Sequence, residues 1–346
     1  MRRLNLFLNP RKDNMSHKVL VTGGAGFIGS NFVRLLITQP DIEKVVILDK
    51  LTYAGSLDNL EGVLDDPRIT FIKGDIAEPD DAFRAMKGCD WVINFAAESH
   101  VDRLINDPAP FMRTNVEGVR VLLEVARELK PKIFLQVSTD EVYGPIIEGC
   151  VDESAPLKPS SPYSASKAAA DMLCNAYYVT FGVPVIIARS ANNYGPYQYP
   201  EKLIPRFVSL ALMDQPLPIY GDGLHMRDWL YVEDNCRALL LLLRKGKPGE
   251  IYNIGASEIK HNIDVAKLLL DILGKPHSLI KHVDDRPGHD RRYCVDWSKI
   301  KALGWEPNAD FSEKFRETII WFKKRHEWLL KKSREAEQFY KKARTK

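Results

Sequence analysis

The sequence predicts an α/β protein: a doubly wound parallel sheet of the Rossmann kind, with a smaller region interleaved toward its C-terminal half. Three observations carry this. Apolar runs of strand length alternate with helical patterns through the first half, a glycine-rich turn lies directly between the first strand and the first helix, and an acidic residue closes the second strand. The runs at 19–22, 45–48, 70–72, 91–95, 133–137 and 185–188 are predominantly apolar rather than alternating, as strands covered on both faces require. Between them, 27–38, 80–86, 111–129 and 163–181 predict crossover helices. After Asn192, Pro and Gly thicken and the alternation weakens. Helical patterns return at 265–273 and 312–322, and Tyr252-Asn253-Ile254-Gly255 predicts a strand that rejoins the sheet. The expected division is a tail at 1–17, a sheet domain over 18–191 with returning segments near 229–255, a second domain over 192–228 and 256–330, and a charged tail at 331–346.

Composition removes several function classes. With 346 residues, 45% hydrophobic and 27% charged, the chain buries a full core. Its net charge of +3 comes from 49 basic and 46 acidic residues spread along the chain, so no nucleic-acid face is expected. The longest aliphatic stretch, 238–243, is far too short to cross a bilayer, so no membrane partner is expected either. Cys89, Cys150, Cys174, Cys236 and Cys294 are odd in number, widely spaced and without His partners at zinc-site spacing; reduced thiols and no metal are expected. His100 and Asp102 read as structural for the same reason. The basic opening segment has an apolar stretch only at 4–8, too short for a signal-peptide core, and Met15 offers an alternative start; a cytoplasmic protein is expected. The tail from Lys331, with seven basic and two acidic residues, predicts a solvated helix.

The turn Thr22-Gly23-Gly24-Ala25-Gly26-Phe27-Ile28-Gly29 points to a dinucleotide. Gly23 permits the tight turn, Gly26 lets the backbone approach a pyrophosphate, and Gly29 lets helix and strand pack closely, with the helix N-terminus facing the anion. Asp49 follows Gly29 by twenty residues, where a carboxylate holds a ribose 2′-hydroxyl and repels a 2′-phosphate; NAD is therefore expected over NADP. Lys50 is the counter-argument, being a cation placed to accept that phosphate.

Two further patches carry acid/base chemistry. Ser138-Thr139-Asp140-Glu141-Val142-Tyr143-Gly144 places adjacent carboxylates at a strand end, and Tyr163-Ser164-Ala165-Ser166-Lys167 places a phenol and an ammonium one helical turn apart. Ionising an ordinary phenol at neutral pH costs about 4 kcal/mol, so Lys167 and a cationic nicotinamide are expected to lower that cost for Tyr163. Neighbouring carboxylates in a dry pocket are pushed apart in pKa, which supplies an acid and a base together.

The glycine turn followed by Tyr-x-x-x-Lys resembles the extended short-chain dehydrogenase/reductase family, which acts on nucleotide sugars. The resemblance runs from about Lys18 to Leu329. It includes Asp49-Lys50-Leu51-Thr52-Tyr53-Ala54-Gly55, Ala96-Ala97-Glu98-Ser99-His100-Val101-Asp102, Asn192-Asn193-Tyr194-Gly195-Pro196, Glu201-Lys202-Leu203-Ile204-Pro205, Arg227-Asp228-Trp229 and Asp285-Arg286-Pro287-Gly288-His289. Thr139-Asp140-Glu141 is most similar to the branch that removes water from dTDP-glucose on the way to deoxysugars such as rhamnose. The resemblance implies that Phe27, Ile28, Leu51, Thr52, Asp75, Ile76, Phe95, Ala96, Ala97, Glu98, Ser99, Thr114 and Asn193 line the NAD site. It implies that Tyr163 takes the sugar's C4 hydroxyl proton with help from Thr139, that Glu141 removes the C5 proton, and that Asp140 protonates the departing C6 hydroxyl. It implies that Lys202 and Arg227 meet the diphosphate, with Ser99, Asn192, Leu203, Pro218, Ile219, Tyr220, Asn262 and the 285–289 loop around the nucleotide and sugar. A homodimer packed through the helices of Phe111 and Tyr163 is also implied. The chain departs from the pattern at His225-Met226 and Arg291-Arg292-Tyr293. UDP- or CDP-glucose, a nucleotide-sugar epimerase or decarboxylase, and a silent NAD-sensing protein therefore stand as alternatives.

Overall fold

The computed structural model describes residues 16–99, 107–285 and 288–344, with side chains through residue 337. Seven parallel strands form the main sheet in the order β10-β6-β5-β4-β1-β2-β3. They are β1 (His17–Thr22), β2 (Ile42–Asp49), β3 (Ile69–Lys73), β4 (Trp91–Asn94), β5 (Ile133–Thr139), β6 (Val185–Ser190) and β10 (Ile251–Ile254). The winding reverses between β1 and β4, so a crevice opens beyond their carboxyl ends, the place where open α/β sheets bind ligands. Each face of the sheet packs its own core. Phe32 and Leu36 of the Phe27–Ile37 helix meet Leu239 and Leu243 of the Val232–Lys245 helix on one face. Ala82, Met86, Leu122 and Cys174 cover the other. This two-sided burial explains why the strands read as predominantly apolar runs.

The expected helix at 111–129 is composite. Ala109–Met112 runs through a π-helical segment, Arg113–Gly118, into Val119–Leu129. The wider turn accompanies a buried polar contact: Asn115 Nδ2 donates to the Ser166 hydroxyl and to the Glu98 carbonyl, both at 2.9 Å. The Pro162–Phe181 helix has strong boundaries. Ser161 and Ser164 form a reciprocal capping box, Pro162 opens the first turn, and Gly182 at φ +70° stops the chain.

After β6 the chain builds a second layer that sequence patterning left unassigned. A three-stranded sheet orders β11 (Ile259–His261), β9 (Met226–Tyr231) and β7 (Asn192–Tyr194), and β8 (Leu217–Tyr220) pairs with β12 (Ile280–Val283). Four of these five strands have only three or four residues, too few positions for a period to show. The final helix, His326–Arg344, continues through the segment expected as a solvated tail and buries Leu329 and Ala336. Residues 1–15, including Met15, lie outside the described residues, as do His100 and Asp102. No helix among the described residues is long and apolar enough to cross a membrane.

The expectation of five reduced cysteines is corrected. Cys150 and Cys294 form a disulfide across a sequence separation of 144 residues; Cys89, Cys174 and Cys236 are free thiols. The pairing was invisible in the spacing because it depends on a parallel bridge between Val151 and Val295, which sets the two Cα atoms 4.7 Å apart.

Candidate active site

Two cavities open at the carboxyl edge of the main sheet. The first is lined by the glycine turn and the ends of β2, β3 and β4, including Gly23, Gly26, Asp49, Asp75 and Ala96. Gly23 has φ +67°, and a Cβ there would stand 2.6 Å from the Ala96 amide nitrogen; a Cβ on Gly29 would stand 2.3 Å from the Gly23 carbonyl oxygen. Neither position admits a side chain: Gly23 leaves bare backbone at the cavity floor, and Gly29 lets the helix N-terminus close up behind it. Asp49 is fixed there by its own neighbours: Oδ2 accepts from the Ala25 amide at 2.9 Å and Oδ1 from the Leu51 amide at 2.8 Å. Burial pushes its carboxyl up, and the two amides oppose that shift. Lys50 is drawn onto Asp75 at 2.7 Å, with Arg113 on the same carboxylate. Its charge is thereby neutralised, which weakens it as a phosphate ligand. Lys50, Thr52, Ile76, Phe95, Ala97, Glu98 and Thr114 also reach this cavity. Phe27, Ile28, Gly29 and Leu51 do not line it; Ser99 and Asn193 line the second cavity instead. The floor, the aimed N-terminus and the caged carboxylate fit a dinucleotide.

The acid/base group gathers where β5 ends. Thr139 caps the short turn Asp140–Tyr143, accepting the Glu141 amide at 3.3 Å, and its hydroxyl donates to Asp140 Oδ1 at 3.2 Å. Asp140 is 2% exposed, and its pKa is raised well above the ordinary carboxylate value by burial, then by the charges of Glu141 and Asp228. Arg227 pulls weakly the other way. A carboxyl in such a place holds its proton to higher pH than an ordinary carboxylate does. Tyr163 is likewise raised, by burial and by Glu141 and Asp140, while a hydrogen bond with Thr139 opposes the shift. The expected help from Lys167 takes a different form. Its ammonium is buried and donates to the Val137 carbonyl at 2.7 Å, so in this state the charges acting on the phenol are carboxylates.

The second cavity, about 190 Å³, has Glu141 in its wall together with Lys202, Arg227, Asn262 and His289. Ser99, Asn192, Leu203, Pro218, Ile219 and Tyr220 complete the sequence-predicted set that reaches it. Lys202 Nζ donates to the Ser99 carbonyl at 2.9 Å. Thr139, Asp285 and Gly288 do not line it, and Arg286 and Pro287 lie outside the described residues. Sequence reasoning missed Gln198, Glu201, Arg206, Phe207, Trp229 and Tyr293 in the wall. Tyr293 had a signal, since its surroundings depart from the family pattern. Its ring lies under the Arg227 guanidinium at 4.6 Å and its hydroxyl donates to Asp290 at 2.6 Å.

His225, Asp285 and His289 bring candidate ligand atoms within 4.8 Å of one another. The two imidazoles stack at 3.8 Å with planes 15° apart. Their lone pairs lie in the ring planes and so run side by side rather than converging on one ion. Asp285 instead binds each ring separately, His289 Nδ1 at 2.7 Å and His225 Nε2 at 3.2 Å.

The disulfide fastens this wall. The Ile146 amide donates to the Arg292 carbonyl at 2.9 Å and the Val151 amide to the Cys294 carbonyl at 3.2 Å, so Tyr293 is held beside the segment that follows the catalytic turn. Cys150→Ser is expected to lower stability by about 2–4 kcal/mol, the range for a long closed loop, and to weaken substrate binding through Tyr293. Urea unfolding checks the first effect; a midpoint shared with the parent protein rules it out.

The family described as GDP-mannose 4,6 dehydratase matches residues 20–318. The low-salt glycan biosynthesis protein Agl12 of Haloferax volcanii is 51% identical over 295 residues, covering 85% of this chain and 95% of that protein. A dTDP-glucose 4,6-dehydratase of Actinoplanes sp. is 47% identical over 317 residues, covering 90% and 99%. Among solved structures, DesIV, the dTDP-glucose 4,6-dehydratase of Streptomyces venezuelae with NAD and TYD bound, superposes with a TM-score of 0.88 at 46% identity, covering 90% of this chain and 98% of its own. A UDP-glucuronic acid 4-epimerase of Bacillus cereus superposes at 0.84 with 30% identity, covering 89% and 99%. With a glycine-floored cavity beside an acid/base cluster, and with sequence matches along nearly its whole length, the chain belongs to the family described as GDP-mannose 4,6 dehydratase.

Proposed function

We propose that the chain is an NAD-dependent hydro-lyase that converts dTDP-α-D-glucose to dTDP-4-dehydro-6-deoxy-α-D-glucose and water. The observation that carries this reading is the buried Asp140 carboxyl, its pKa raised by burial and by the charge of Glu141, directly behind the Glu141 that lines a sugar-sized cavity. A simple C4 epimerase needs no such acid. NAD bound in the first cavity, over Gly23 and Gly26 and against Asp49, supplies the reversible hydride acceptor between C4 and C6. The protein's own groups move the protons. Tyr163 removes the C4 hydroxyl proton, with Thr139 hydrogen-bonding the same oxygen. The ketone formed at C4 acidifies the C5 proton, which Glu141 removes, and Asp140 delivers its proton to the C6 hydroxyl as water departs; Glu141 then returns its proton to C5 while the hydride that NAD would hold goes back to C6. Lys202 and Arg227 provide the cations for the diphosphate.

In this reading residues 18–191, with the returning segments near 229–255, hold the cofactor, and 192–228 with 256–330 hold the nucleotide sugar. We further infer a homodimer formed through the Pro162–Phe181 helix and its neighbour, supported by Met172 and Val179, which are 67% and 73% exposed on that helix. A cytoplasmic role in deoxysugar synthesis, of the kind that leads to rhamnose, agrees with this chemistry.

The test uses dTDP-glucose deuterated at C4. The expected result is base-labile 4-keto product with deuterium in the new methyl group, and slower turnover of UDP- and CDP-glucose. Product lacking methyl deuterium, or no product, overturns the reading.

A further inference from the structure

A buried ammonium that donates only to a carbonyl lacks the counter-charge that burial demands. Lys167 is 5% exposed, and its one recorded hydrogen bond goes to the neutral Val137 carbonyl. One helical turn further along Pro162–Phe181, on the same face, lies Asp171, 2% exposed and without a role in the chemistry above. Its Oδ2 accepts from Arg189 Nε at 2.9 Å. Arg189, on β6, also donates to the Tyr143 hydroxyl at 2.8 Å, and that hydroxyl donates to Asn253 Oδ1 on β10 at 2.8 Å. A chain of buried hydrogen-bonded groups thus runs from the edge strand of the main sheet to Asp171, one helical turn from Lys167, and Tyr143 itself closes the turn that carries Asp140 and Glu141.

We propose that Asp171 is a positioning residue, whose carboxylate, anchored by Arg189, keeps Lys167 cationic and in place one turn from Tyr163. This rests on the dehydratase reading for its catalytic consequence but not for its electrostatics. Burial lowers the Lys167 pKa, and Asp171 is the foremost group opposing that shift, ahead of Cys174. Burial also raises Asp171, and Arg189 is the foremost group holding it ionised. The remaining charged or titratable groups around Tyr163 are Asp140, Glu141 and Tyr53, and around Asp140 they are Arg227 and Asp228. Asp140 and Glu141 oppose ionisation of the phenol, and Lys167 is the cation on the phenol's own helix.

The test reads Lys167 directly. In 13C-lysine-labelled protein, with the Lys167 Cε resonance assigned through Lys167→Arg, the midpoint of its pH titration is expected to fall by about one pH unit or more in Asp171→Asn and to stay near the parent value in Asp171→Glu. Because Asp171→Asn strands the Arg189 guanidinium in the core, Asp171→Asn combined with Arg189→Gln removes both charges and is expected to show the same fall. In turnover, the acid limb of the kcat profile moves to higher pH in these variants, since a neutral lysine leaves Tyr163 harder to ionise. A lower melting temperature with an unmoved Lys167 midpoint means the pair is purely structural and overturns the proposal. If the parent protein does not dehydrate dTDP-glucose, the titration still decides the role of Asp171.

Discussion

Tyr163→Phe abolishes dehydration, lowering kcat about a thousandfold or more, and no reduced cofactor appears when enzyme and dTDP-glucose are mixed in a single turnover. The phenylalanine ring fills the same space but has no proton-accepting oxygen, so the C4 hydroxyl cannot lose its proton as its hydrogen departs. The raised pKa of the phenol defines when it works. Burial and two carboxylates raise the pKa of the phenol in the ligand-free protein, and a positive nicotinamide bound beside it would lower the cost of ionisation. Stopped-flow absorbance of the reduced cofactor is the measurement. A variant that still oxidises C4 at the parent rate removes Tyr163 from the first step.

Asp140→Asn produces the opposite signature. Asparagine keeps the shape and the hydrogen-bonding distance to Thr139 but carries no acidic proton, so C4 oxidation proceeds while water loss slows by about 10²–10⁴. Reduced cofactor therefore accumulates in single turnovers. The sign of the pH effect follows from the raised pKa: the acid form of Asp140 is the active one, so activity is expected to fall as pH rises through its folded-state value, which lies above that of an ordinary carboxylate. Asp140→Asn lacks this alkaline limb. Normal turnover with no accumulation would falsify the assignment of Asp140 as the acid.

What the sequence made legible was local. Gly23 and Gly26 lie in the turn directly after the first strand and Asp49 ends the next strand, and their spacing in the chain fixes their spacing in space. Thr139, Asp140 and Glu141 are adjacent, and Tyr163 and Lys167 share a helix. The illegible part was assembled from distance. Tyr293 reaches the cavity because a disulfide and a bridge join segments 144 residues apart, and Trp229 reaches it from a strand whose partners are only three residues long. Lys167 shows the limit within a helix: its position one turn from Tyr163 was readable, but its direction toward the Val137 carbonyl depends on where β5 passes behind it.

The first crossing from the main sheet to the three-stranded sheet is a single residue. β6 ends at Ser190 and β7 begins at Asn192; Ala191 between them is buried, and its amide is tied to the Ile254 carbonyl at 2.8 Å. So short and pinned a link leaves no slack for a clamshell rotation, and reactant traffic has to pass through local movement of surface segments around a fixed frame. Small-angle scattering profiles recorded with and without the nucleotide sugar should superimpose; a change in radius of gyration on binding would show that the frame bends after all.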